Sequence, residues 1–185
     1  MNDETALIQG CIKGDGRMQR LLYQKYASRM FGICLRYASN EDEAADMLQE
    51  GFIKVFLKLA EFRNEGSFEG WIRRIIVNTS INQVLRNKKH QFHQDLEQFE
   101  EVIEDTGSLH EQLHVKDLLK MVQVLPPGYR SVFNLYEIEG YSHKEIAELM
   151  GISINTSKTQ LMHARRLLQK RLAVQEKIAE PNRPE

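Results

Sequence analysis

A chain of 185 residues with 42% hydrophobic and 28% charged residues and only four prolines has the composition of a helical soluble protein, in one domain or two small ones. No run approaches the roughly 18 apolar residues of a membrane span, and MNDETALIQG lacks the basic and apolar regions of a secretory leader. Cys11 and Cys34 have no metal-ligand spacing, so buried thiols in a cytoplasmic, all-α protein are expected rather than a disulfide framework.

Taken in chain order, helical periodicity marks segments near residues 4–13, 17–38, 41–61 and 68–87. Gly14-Asp15-Gly16 makes a turn, Asn40 precedes the acidic first turn Glu41-Asp42-Glu43, and Ser67 is the expected cap after the break at Asn64-Glu65-Gly66. In the third segment Leu48, Phe52, Val55, Phe56 and Leu59 form the expected core stripe. The opposite face, Asp46, Gln49, Glu50, Ile53 and Leu57, mixes carboxylates with exposed apolar groups. That composition suits docking against a basic protein surface, with a merely solvated face as the plain alternative.

The fourth segment, with the loop before it, reads FRNEGSFEGWIRRIIVNTSINQVLRNKK and combines aromatics, amides and arginines. Phe68 and Trp71 are candidates to stack on or wedge against bases. Asn78 and Asn82 can bond base edges or phosphates, and Arg74 and Arg86 place charge along a backbone. Trp71 with Ile72, Ile75 and Ile76 reads equally well as core. The net charge of −1 argues against nucleic acid only as an average. Arg73, Arg74, Arg86, Lys88 and Lys89 are all basic, whereas Asp95, Glu97, Glu100, Glu101, Glu104, Asp105 and Glu111 follow as an acidic block.

Residues 91–108 read as an acidic linker. At its end His110-Glu111-Gln112-Leu113-His114 matches H-E-x-x-H, whose spacing sets two imidazoles on one helix face for zinc. No obvious third ligand and no apolar helix surround it, so no metal site and no enzyme is expected, with a zinc metalloprotease as a remote alternative. A second helical domain begins near Leu109, pauses at Pro126-Pro127-Gly128 and continues through Tyr129 to Ile138. It ends in SHKEIAELMGISINTSKTQLMHARRLLQKR, two short helices around a tight turn. Ser142 and Glu145 form a capping box, Ile146, Leu149 and Met150 an apolar face, and Gly151 the turn. Ala147 is small, as a close helix crossing requires. The second helix carries Lys158, Arg165, Arg166, Lys170 and Arg171 without one acidic residue up to Leu172, the expected footprint of a phosphate-binding helix.

Together these segments resemble a bacterial RNA polymerase sigma factor of the extracytoplasmic-function (ECF) group over nearly the full length. DMLQEGFIKVF at Asp46 to Phe56 is similar to the polymerase-binding signature of region 2. FEGWIRRIIVNTSINQVLR at Phe68 to Arg86 is similar to its promoter-reading segment, and Leu125 to Leu168 resembles region 4. The resemblance implies two all-α domains, region 2 over 1–90 and region 4 over 109–178, with the linker at 91–108 and a tail at 179–185. It implies that Asp46, Gln49, Glu50 and Ile53 meet the β′ clamp helices of core polymerase, with the β flap as a further contact. Arg63, Asn64, Ser67 and Phe68 would receive a base flipped from the −10 element, with Trp71, Arg74, Asn78, Asn82 and Arg86 alongside the strand. Asn155, Lys158, Thr159, Met162 and His163 would lie nearest the bases of the −35 duplex, with Arg165 and Arg166 towards phosphate. An anti-sigma factor and no cofactor are also implied. Ser157 stands where valine is frequent in the family and Asn155 where glycine is, so the −35 sequence does not carry over. The principal rival is a stand-alone helix-turn-helix regulator, which leaves the first domain without a purpose.

Overall fold

The computed structural model describes residues 3–91 and 115–179, and every element among them is helical. They fall into two units, Met1–Val84 and Leu85–Glu185. Gln91, the first residue of the expected linker, still belongs to a helix; the rest of that linker and the H-E-x-x-H match lie outside the described residues.

The first unit holds α1 (Asp3–Ile12), α2 (Gly16–Tyr37), α3 (Glu41–Lys58) and α4 (Phe68–Gln91), of which α4 runs past the unit boundary. Capping chemistry starts these helices. Asp15 accepts from the backbone N–H groups of Arg17 and Met18, and Asn40 accepts from that of Glu43 at 2.8 Å. Ser67 Oγ accepts from Gly70 N–H at 3.1 Å, as its position predicts. A 3₁₀ turn over Leu59–Glu61 ends α3, so the α-helix stops short of the expected residue 61.

Leu22, Tyr26, Met30, Tyr37, Met47, Val55, Leu59, Ile72, Ile76 and Ile81 are each no more than 2% exposed and make the core. Gly51 leaves room for the Ile76 side chain of α4: a Cβ on it would lie 2.4 Å from Ile76 Cδ1, which would have to move aside. Cys11 and Cys34 are buried free thiols, and burial pushes Cys34 up to about 11, out of the nucleophilic range. Phe56, expected in the core stripe, is only half-buried and borders a surface groove instead.

The second unit holds α5 (Val115–Gln123), α6 (Pro127–Phe133), a π turn over Asn134–Ile138, α7 (His143–Met150) and α8 (Ile154–Ala179). Pro127 opens α6 at the position where its missing N–H costs nothing. The expected uninterrupted helix to Ile138 instead widens into the π turn, closed by Glu139 N–H on the Asn134 carbonyl at 3.0 Å. Both halves of the Ser142–Glu145 capping box are made, and Gly151 takes φ +66 in the left-handed region. Ser153 Oγ accepts from Thr156 N–H at 2.9 Å and starts α8. Ile146, Leu161 and Ala164 close the core between α7 and α8 at no more than 3% exposure.

Candidate nucleic-acid and protein interfaces

The α3 face opposite the core carries exposed Asp46, Gln49, Ile53 and Leu57, the last two 53% and 77% exposed. Glu50 is half-buried and accepts from Lys54 Nζ at 2.7 Å, one turn on. Beside this face runs an open groove lined by Tyr23, Ala45, Leu48, Gln49, Phe52, Ile53 and Phe56. Tyr23 is a contribution from α2 that sequence reasoning missed; it meets Phe52 edge-on at 4.7 Å. Its signal was an aromatic left 41% exposed, but the partner lies on another helix. An apolar groove rimmed by carboxylate and amide groups can seat a helical partner with basic flanks.

The loop from Arg63 to Ser67 is exposed throughout, and its shape is set by two left-handed residues, Asn64 at φ +58 and Gly66 at φ +107. Asparagine is among the few side chains that accept this conformation readily, so the chain turns here rather than running extended. Phe68 departs from the expectation of a base-stacking residue. It is 2% exposed, packed edge-on against Tyr26 at 5.7 Å and tilted against Phe62 at 5.0 Å, so its ring belongs to the core and is not open to solvent. Trp71 stacks on Phe68 with ring planes 14° apart and is half-buried, keeping part of its surface open.

Along α4 the expected contact residues Trp71, Arg74, Asn78, Asn82 and Arg86 recur every three or four residues and none is buried; Arg73, Gln83 and Asn87 also reach the surface. Arg74, Asn82 and Arg86 are exposed, Trp71 and Asn78 half-buried. The spacing gathers them on one stripe, which the Arg63–Ser67 loop precedes in the chain. The side chains of Lys88 and Lys89 lie outside the described residues.

On α8, Asn155, Lys158, Thr159, Met162 and Arg166 are exposed on one face, with Met162 at 57%. His163 is half-buried and stacked on Tyr129 of α6, centroids 5.5 Å apart. Arg165, expected towards phosphate, is exposed and ion-paired. Its Nε and Nη2 donate to Glu137 Oε1 at 2.7 and 2.5 Å, and its guanidinium lies 5.8 Å from the Tyr136 ring centre. Ser157 is fully buried, with its hydroxyl 2.9 Å from His143 Nδ1. His143 in turn stacks on Tyr136 at 4.5 Å. Burial, then the Lys158 and Arg165 charges, hold His143 below the usual imidazole range, so the ring is neutral at pH 7. Neither Glu137 nor Ser157 carries a sequence signal for these contacts, because their partners are 28 and 14 residues away.

Two helical modules, one carrying a stripe of amides and arginines after a left-handed loop and the other a helix-turn-helix with a cationic second helix, define a DNA-recognition protein. The model of sigma-70 region 2 matches residues 22–90, and that of sigma-70, region 4 matches residues 116–168. The RNA polymerase sigma-H factor of Pseudomonas aeruginosa is 30% identical over 181 residues, covering 91% of this chain and 93% of that one. The ECF RNA polymerase sigma-E factor of Haemophilus influenzae is 26% identical over 185 residues, covering 91% and 95%. The fold is also that of the sigma factor RpoE of Bartonella quintana, solved in complex with the anti-sigma factor NepR, with a TM-score of 0.52 at 22% identity over 84% of this chain and 96% of that one. The chain belongs to the sigma-70 family, in its ECF group, and is a promoter-directing factor of RNA polymerase.

Proposed function

We propose that this chain divides promoter recognition between its two units while docked on core polymerase, with residues 1–90 acting as region 2 and 109–178 as region 4. Asp46, Gln49, Glu50 and Ile53 meet the β′ clamp helices, and region 4 meets the β flap. The loop residues Arg63, Asn64 and Ser67 receive a flipped −10 base. Trp71, Arg74, Asn78, Asn82 and Arg86 then track the melted strand. Asn155, Lys158, Thr159, Met162 and His163 face the −35 bases and Arg166 faces phosphate, which Arg165 reaches only by sharing or releasing Glu137. The chain works in the cytoplasm as a recognition subunit and catalyses nothing itself. Its restraint in the resting state comes from an anti-sigma factor, as the Bartonella quintana relative was solved with one.

The observation that carries this reading is the stripe of amides and arginines with one indole along α4, on a helix that also buries an apolar face in the core. A stand-alone regulator has no need of it. Flipping a base costs a few kcal/mol of stacking, which a preformed loop offsets. Run-off transcription with core polymerase across a genomic promoter library tests the proposal. Initiation at a discrete set of promoters, dependent on this chain, is the expected result. Tight binding to one operator without polymerase, and no initiation with it, would support the stand-alone regulator instead.

A further inference from the structure

The contacts around Tyr136 tie α8 down at two places. At the first, Ser157 in the opening turn of α8 bonds His143 Nδ1 at 2.9 Å, and the His143 ring stacks on Tyr136. At the second, eight residues on, Arg165 bonds Glu137 and lies near the same Tyr136 ring. Eight residues of helix span about 12 Å. One tether fixes a point, but two tethers that far apart fix a direction. Both run to adjacent residues of the π turn, Tyr136 and Glu137, so one rigid segment sets the position and the tilt of the helix that faces DNA. An apolar residue at 157 would fill the same space, yet would leave rotation about the α8 axis to packing alone. A buried hydroxyl bonded to a ring nitrogen is directional.

We propose that His143, held between Ser157 and Tyr136, is a positioning residue for −35 recognition: it locks the first turn of α8, and so sets the presentation of Asn155, Lys158 and Thr159 to the major groove. The proposal rests on the sigma reading given above. His143 touches no DNA in this role and acts through Ser157. The charged groups facing it are Lys158 and Arg165 from α8, with Glu137 of the π turn neutralising the latter.

The test uses the full chain with core polymerase on paired promoters, one with an intact −35 element and one with it scrambled, and reads the ratio of initiation. His143→Phe keeps a ring to stack on Tyr136 but has no Nδ1, whereas His143→Asn loses the ring and keeps a polar group near the Nδ1 position. Loss of one such bond is expected to lower the intact-to-scrambled ratio roughly three- to tenfold in His143→Phe and in Ser157→Ala. His143→Asn should recover much of the ratio. The double variant His143→Phe with Ser157→Ala should be no worse than either single one, because both remove the same bond. Initiation from the scrambled promoter, which depends on the first unit, should be unchanged. Wild-type ratios in His143→Phe and Ser157→Ala, or losses that multiply in the double variant, would overturn the proposal. Should His143→Phe fail to fold by thermal melting, Ser157→Ala alone against wild type decides. A wild-type chain that initiates with no −35 dependence would overturn the underlying reading itself.

Discussion

Helices α4 and α8 both present amides and cations to the surface, yet they are anchored in opposite ways. On α4, Phe68, Ile72, Ile76, Val77, Thr79, Ser80, Ile81 and Val84 are all buried, so the helix is held in the core along much of its length while Trp71, Arg74, Asn78, Asn82 and Arg86 stay at the surface. On α8, Ser157, Leu161 and Ala164 are buried, and the face from Asn155 through Thr159 to Arg166 stands open. The difference matches two forms of DNA. A helix that enters a major groove roughly 12 Å wide must protrude, and its direction must be set by contacts at its edge. A stripe that holds a single strand needs no protrusion. It needs a platform stiff enough to keep a flipped base in place, which deep burial supplies.

The largest effect expected from this contrast falls on Phe68, buried at the start of α4. Phe68→Ala should destabilise the first unit by about 3 to 5 kcal/mol in chemical denaturation of the full chain, as removal of a buried aromatic does. A loss below about 1 kcal/mol would mean that Phe68 is not part of the core. Next in size is the docking face. Ile53→Asp should weaken binding of core polymerase about tenfold or more while leaving the unfolding midpoint nearly unchanged, because the side chain is 53% exposed. Equal polymerase affinity in the variant would remove α3 from the interface.

Backbone geometry gives the third contrast, between the turns that precede the two readers. Gly151→Val should cost the second unit about 1 to 2 kcal/mol, because φ +66 is closed to a β-branched residue. Asn64→Gly at φ +58 should leave the first unit folded with little change. Thermal melts of the two variants check both. The smallest effect is a pH dependence confined to the second unit. His143 is depressed below its ordinary 6.5, so its contribution to stability is complete above that pH and is lost as pH falls through the lower folded value. Melting curves between pH 5 and 7.5 should show this slope in the wild type and a shallower one in His143→Phe.

The local rules of the chain were the legible part. Asn40, Ser67, Ser142 with Glu145, and Gly151 each act on backbone groups within four residues, and each does in the structure what its position implies. The exposed face of α3 was also legible, since period and polarity together separate Asp46, Gln49 and Ile53 from Leu48 and Phe52. Long-range burial was not. Phe68 and Trp71 are neighbours of similar character, and what distinguishes them is Tyr26, 42 residues earlier in the chain and against Phe68 alone of the two. The same limit hid Arg165 behind Glu137, and Ser157 beneath His143. The π turn was hidden for a different reason: the apolar period through Val132 and Leu135 is that of an α-helix, and the insertion shows only in the hydrogen bonds.

The division of labour between the two units is the central claim, and a promoter-swap experiment with core polymerase measures it most directly. Asn82→Ala and Lys158→Ala chains would each be assayed by run-off transcription on a promoter with both elements intact, with the −10 altered, and with the −35 altered. Asn82→Ala is expected to blunt discrimination at −10 and preserve it at −35, and Lys158→Ala to do the reverse. Equal loss at both elements in either variant, or loss at the opposite one, would contradict that division.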